Sequence, residues 1–444
     1  MMAAPADIIR RPLQVLLTIA ATLAFVAAAR ADETIPPRYE LYFSPALDAE
    51  SGARLVSSAV TGTAAGEARL FRPLGPGPAG AVARMTRTLV WDAPIAWWFG
   101  VALHESFGHG GRGREFNTSP GVHLGSPWGG RDSYASFDLA GTSTEERLYL
   151  YAGGTEANTL AATLLERRAV EGVRMRPIEL LHLASNRLVD SDYVLRTTPD
   201  PSREPGRFYA EYSGGGDVAN YLGLLHELHG AGSGITPASA DATIDREYRR
   251  LRRQAYWNLL DPGLWWALGS AMRLSVSGDD AAPLPLPRAG RFRVLPALSS
   301  EWTPSGGEIS LEWIMAPAVA AQAPATAAQT PPAGPAQAPT DVAARLRTLS
   351  FVGRRGAGPS GAFGALGAAA EDIISAGRFR LGSAAETWHD PRNGLGGGAR
   401  LRARLTRGPL RGLYFDFGAK SQGYWIGQPA TPGPYAAVGL LFIP

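Results

Sequence analysis

Around residue 276 the chain changes its apolar period, from the three-to-four spacing of helices to a strict alternation. Beyond that point the segments RFRVLPAL, GEISLEWIM, RLRTLSFV, GRFRLGSAAETW, ARLRARL, GLYFDFGAK and PYAAVGLLF follow one another. In ARLRARL, Ala399, Leu401, Ala403 and Leu405 alternate with Arg400, Arg402 and Arg404, which gives a strand one apolar and one charged face. Seven or so such segments in succession predict an antiparallel meander, laid out either as a sheet or as a closed barrel. Strands of outer-membrane barrels need about nine to eleven alternating residues, and several of these segments reach that length. An Ala/Pro tract over residues 317–341 interrupts the series; it cannot build a core and reads as a long disordered loop.

Ahead of the switch the pattern is helical, so the fold class is α+β: a mainly helical region over 32–275 followed by an antiparallel β region over 276–444. Residues 32 to about 85 carry short apolar stretches broken by Gly and Pro and are expected to be extended or irregular. Helices are predicted over PIAWWFGVALHESF, TEANTLAATLLERRAVEG with Thr155 as N-cap, IELLHLASNRLVDSDYVL, DVANYLGLLHELHG, IDREYRRLRRQAYWNLL and DPGLWWALGSAMRLSV. At the extreme N-terminus Arg10 and Arg11 precede a long apolar run that exits through Ala29-Arg30-Ala31. That is the pattern of a cleaved secretory signal over residues 1–31, with the periplasm or outer membrane as destination. The sequence has no cysteine, so an exported chain of this kind must be stabilised by packing or by a metal. Net charge is only +3 and Lys420 is the one lysine, which argues against nucleic acid as a partner.

The chemistry concentrates in VALHESFGHGG, Val101 to Gly111. Zinc hydrolases commonly place two histidines four residues apart on one helical face, with a glutamate beside the first to take a proton from water. Here His104 and His109 are five apart, which a regular α-helix would point roughly 140° away from each other. One π-type widening restores a common face, and Gly108 makes that distortion easier by removing a side chain at the irregular turn.

The string HESFGH, His104 to His109, resembles the H-E-x-x-G-H motif of the dipeptidyl-peptidase III-type zinc exopeptidases over these six residues. The resemblance implies His104 and His109 as Zn2+ ligands and Glu105 as the base. A catalytic zinc needs a third protein ligand. Glu156, in the first turn of the TEANTL helix, is the expected one, with Asp217 at the opening of DVANYL as the alternative.

Among the other histidines, His226 and His229 lie three apart on one predicted helix. His226, nearer the helix interior, is the candidate for a catalytic or oxyanion-stabilising role. His123 is a candidate cleft residue, His182 a core residue and His389 a loop residue. No G-x-S-x-G elbow, phosphate-binding loop or cysteine nucleophile is present, so the competing chemistries lack their signatures. The sequence thus predicts an exported zinc-dependent hydrolase acting on a peptide or other acyl substrate. The alternative is a non-enzymatic outer-membrane β-barrel with a helical periplasmic part. A membrane-embedded reading of LVWDAPIAWWFGVALHESF is opposed by Asp92 and by the shortness of the run.

Overall fold

The computed structural model describes residues 39–70, 77–129, 133–197, 216–230, 237–318 and 348–442. The expected signal, residues 1–31, and nearly all of the Ala/Pro tract lie outside them. A first strand β1 (Tyr39–Phe43) leads into helices α1 (Ala49–Leu70) and α2 (Pro78–Arg87). A π-helical turn over Thr88–Asp92 passes into α3 (Ala93–Leu103), a second π-helical turn (His104–His109) and α4 (Gly110–Glu115). A small hairpin, β2 (Gly121–His123) and β3 (Tyr134–Ser136), precedes α5 (Thr144–Glu171), α6 (Pro177–Arg196), α7 (Asp217–Gly230), α8 (Pro237–Asn258) and α9 (Pro262–Ser277). Strands β4 (Arg288–Ala289), β5 (Phe292–Thr303), β6 (Gly306–Pro317), β7 (Thr348–Gly358), β8 (Gly361–Ala376), β9 (Phe379–Asp390), β10 (Gly394–Leu405), β11 (Leu413–Lys420) and β12 (Gly433–Phe442) follow.

All of the long strands join one ten-stranded sheet in the order β1-β12-β11-β10-β9-β8-β7-β6-β5-β4, every described pairing antiparallel. The meander expected from the alternation is therefore present, but the barrel is corrected. The order is linear, with β1 and β4 at its ends and no pairing between them among the described residues. The expectation of extended or irregular structure over 32–85 holds at β1, which pairs with β12 at one edge of the sheet, and is corrected over α1 and α2, which are helices. Helix α1 is buried nearly all round and packs through small residues. A Cβ on Gly52 would lie 2.2 Å from the Cβ of Phe107.

Helix α5 is the axis of the helical layer. It starts at a capping box in which Ser143 and Glu146 satisfy each other's backbone N–H, and it stops at Gly172 in the left-handed region with φ 86°. That start lies eleven residues before the one read from TEANTL, so Thr155 is not a cap and Gly153, Gly154 and Glu156 sit in mid-helix. The predicted start of α9 holds: Asp261 accepts from the N–H of Leu264, with Pro262 in the first turn. Buried side chains of α5 pack on both sides. Leu148 and Ala152 meet Val194, Tyr221, Leu222 and Trp302, while Ala157 and Ala161 meet Leu55, Leu103 and Phe107.

The sheet has an unusual polarity. Its helix-facing side is charged: Arg402 donates to Asp416 at 2.6 and 2.7 Å, Arg400 pairs with Glu50 at 2.7 Å, and Arg354 pairs with Glu308 at 2.7 Å and with Glu386. Its other side presents Leu311, Trp313, Phe351, Leu366, Leu401 and Phe417, all exposed. No described helix is long and apolar enough to cross a membrane.

Candidate metal centre

The five-residue spacing of the histidines is accommodated by the backbone. Residues His104–His109 form a π-helical turn, and the N–H of Gly110 reaches the carbonyl of Glu105, five residues back. The widened turn lies against the middle of α5, and glycines at both surfaces make the approach possible. A Cβ on Gly108 would stand 2.5 Å from the carbonyl oxygen of Gly153 and 2.6 Å from the Cα of Gly154. A Cβ on Gly154 would in turn stand 2.3 Å from Nε2 of His104, so this glycine makes the space that the imidazole occupies.

Both imidazoles are oriented by hydrogen bonds at Nδ1. His109 Nδ1 donates to the carbonyl of Leu150 at 2.7 Å. His104 Nδ1 meets Oδ1 of Asn158 at 2.8 Å. The amide of Asn158 has only one consistent orientation. Its Nδ2 donates to the carbonyl of Gly100 at 3.0 Å and to Oδ1 of Asn186 at 2.6 Å, and Nδ2 of Asn186 is itself committed to the carbonyl of His182 at 2.7 Å. The Asn158 oxygen therefore faces His104, and Nδ1 of each histidine carries the hydrogen. In the neutral form both Nε2 atoms present a lone pair.

These lone pairs converge. The two Nε2 atoms are 3.1 Å apart, and Oδ2 of Asp217, the first residue of α7, lies 3.2 Å from that of His109 and 3.4 Å from that of His104. Three acceptors facing one another at hydrogen-bond distance repel unless a cation or proton lies between them. Tetrahedral zinc with bonds of about 2.0–2.1 Å sets its ligand atoms about 3.3 Å apart, and the observed triangle has those edges. His104, His109 and Asp217 form the group of metal-ligating type among the described residues. The histidine side chains are 2% and 3% exposed and that of Asp217 15%, so the cluster is open on the aspartate side.

Electrostatics favour a cation at this point. Burial works against charge on His109, but the neighbouring Asp217 carboxylate, and beyond it Glu105, raise its pKa to about 9. Burial works against charge on Asp217 as well, and the two histidines hold its carboxyl well below the usual carboxylate range. The ring of Tyr193 is stacked on His104 at 4.9 Å. Burial, then the carboxylates of Asp217 and Glu105, push the Tyr193 phenol up, so it stays protonated. Glu105 is buried, and its carboxylate makes no hydrogen bond with any described residue.

Not every expected site residue joins the cluster. Glu156 is engaged elsewhere: Arg112 donates to it at 2.6, 2.8 and 3.0 Å, and the N–H of Gly427 donates at 2.7 Å. The reason is helical phase. On α5 the face toward His104 is marked by Gly154 and Asn158, four residues apart, and Glu156 lies about 200° from each. The third acid is Asp217, the alternative weighed in the sequence. His226 follows Asp217 by nine residues on α7, about 13.5 Å along the axis and half a turn round, and takes no part in the cluster. His229 meets the carbonyl of Pro304 at 3.0 Å. His123 is exposed on β2 and stacks on Tyr134, His182 is buried under α3, and His389 is exposed in β9 rather than in a loop. Asn158, Leu150, Tyr193 and Gly154 went unread in the sequence. Their one signal was Asn158 four residues after Gly154 in GGTEANTL.

Comparison with known proteins finds no matching family model, no matching curated protein and no matching solved structure.

Proposed function

We propose that the protein is an exported zinc-dependent hydrolase acting on peptide or other acyl bonds, with His104, His109 and Asp217 as its metal ligands. The observation that carries this reading is the triangle of two Nε2 atoms and one carboxylate oxygen, with edges of 3.1, 3.2 and 3.4 Å, in which both imidazoles are fixed in the ligating tautomer. When bound, zinc supplies a Lewis acid that polarises an acyl carbonyl and acidifies a water. Glu105, next to His104 in the chain and free of hydrogen-bond partners among the described residues, would accept a proton from the attacking water and return it to the leaving group. Tyr193, held as a neutral phenol, is a donor for the oxygen that gains charge. Three residues of ligating type, with Asp217 half-buried, would leave an ion a position for substrate. The expectation of export rests on the pattern of residues 1–31.

The test uses the purified full chain, with zinc content and hydrolysis of a fluorogenic peptide library and an acyl-ester panel as readouts. Glu105→Gln should keep one zinc per chain and lose activity by at least 10²-fold, whereas His104→Ala should lose both. A wild-type chain that binds no zinc in stoichiometric amount, or a Glu105→Gln variant with full activity, overturns the reading.

A further inference from the structure

We infer that the outward face of the sheet seats against the acyl chains of a bilayer carrying anionic headgroups. The inference is independent of the metal centre. A sheet packed on a helical layer in water buries its apolar side and exposes its polar one. Here the sides are exchanged over β6 to β12. The ion pairs of Arg354, Arg400 and Arg402 are turned toward the helices, and the exposed side is apolar.

The register shows that the exposed residues form a continuous band. Trp313 on β6 faces Phe351 on β7, Phe351 faces Ala368 on β8, Leu401 on β10 faces Phe417 on β11, and Phe415 faces Val438 on β12. On β10 the outward positions from Leu395 to Leu405 are Leu, Gly, Ala, Leu, Ala, Leu. Ten residue steps span about 34 Å along the strand, or about 24 Å once tilted by 45°, close to the ~25 Å apolar height of membrane-facing strands.

Both margins of the band are polar, and one is cationic. At one end Arg355 and His389 occupy the outward row that also holds Gly364 and Leu395. At the other end the turns carry Arg378, Arg407 and Arg411, all exposed, and residues 377–378 and 406–412 contain no acid. The carbonyl of Arg378 accepts from the N–H of Thr406 at 2.8 Å, which holds these two turns side by side. An apolar band rimmed by adjacent arginines matches acyl chains below phosphate headgroups.

The experiment is co-flotation of the full chain with vesicles of phosphatidylcholine alone or mixed with phosphatidylglycerol, together with quenching of tryptophan fluorescence by brominated acyl chains. The wild type should float with the anionic vesicles and be quenched, and Trp313→Phe should lose a measurable part of that quenching while floating unchanged. The pair Leu401→Asp and Phe417→Asp, with an unaltered far-ultraviolet spectrum, should lower the floated fraction at least tenfold. The triple change Arg378→Glu, Arg407→Glu and Arg411→Glu should remove the preference for anionic vesicles. A wild type that stays unbound to both vesicles overturns the inference, as does quenching indifferent to Trp313. A detergent-free dimer that the Leu401 and Phe417 changes dissociate also overturns it, by assigning the face to a second copy.

Discussion

His104 and His109 stand five residues apart in the chain, yet their Nε2 atoms are 3.1 Å from each other. The π-helical turn between them creates that proximity, and Asp217 from a distant helix completes the group. Each element of this arrangement has a measurable consequence.

Asp217→Asn should keep the fold and lower zinc affinity at least 10²-fold, because a charged oxygen is replaced by a neutral one at the apex of the triangle. Competition with a chromogenic chelator measures it. Glu156→Gln should leave zinc stoichiometry at one in the folded protein. An effect on metal at Glu156 and none at Asp217 would reverse the assignment.

The same Glu156→Gln change should cost stability. It removes the charge that Arg112 meets in a site where the two side chains are 1% and 3% exposed, and breaking such a pair costs about 3–5 kcal/mol. The denaturation midpoint in urea reports the loss.

Asn158→Leu removes the acceptor that fixes the tautomer of His104. Losing an outer hydrogen-bond partner of a ligating histidine typically lowers metal affinity about 10–100-fold. Asn158→Asp, which keeps the acceptor toward His104 but turns a second oxygen toward the carbonyl of Gly100 and Oδ1 of Asn186, should keep more of the zinc affinity than the leucine while costing stability. Titration calorimetry with zinc separates the two.

Gly154→Ala sets a methyl where His104 Nε2 now lies. Overpacking of this kind typically costs about 1–3 kcal/mol, and here the imidazole must leave its position, so zinc should be lost as well as stability. Gly269→Ala, on α9 where nothing lies within 4 Å of the added methyl, should leave zinc binding and stability intact.

His182 supplies a pH dependence. Burial, and to a lesser degree Arg168, lower its pKa to about 4, with the carbonyl of Ala96 acting in the opposite direction. As pH falls below about 6.5, the unfolded chain takes up a proton that the folded chain refuses until about 4. Stability is therefore lost across that window and is fully present above it, with a ceiling of roughly 3 kcal/mol. Thermal melts of the wild type and of His182→Gln between these pH values should converge toward the acid end. Parallel curves would exclude the effect.

What could be read in the sequence depended on whether a signal was local. His104 and His109 lie within six residues, and Gly108 marked the place where the turn widens, so that part of the cluster was legible. The third residue of the cluster was not, because choosing between Glu156 and Asp217 needed the phase of α5. That helix was read as starting at Thr155 because the glycines at 153 and 154 look like a boundary. In the structure they are contact surfaces for the π-helical turn. The strands from Phe292 onward were legible wherever large apolar residues alternate. Strand β8 was missed because GAFGALGAAA alternates mostly small ones, and the extended stretch at β1 could not be joined to the sheet because its partner β12 lies nearly 400 residues away. Sheet closure depends on the pairing of edge strands, which no alternation encodes.

The widened turn also governs how the chain can vary. Deleting Gly108 would let the turn close to a regular α-helix, with the histidines at the more familiar spacing of four and the later residues in nearly the same phase. Arg112 would still meet Glu156, and Arg114 the carbonyls of Ala46 and Leu47 to which it donates at 2.6 and 2.7 Å. The extra residue is thus contained within its own turn, and a descendant of this chain could shed it without rebuilding the arginine anchorage beyond.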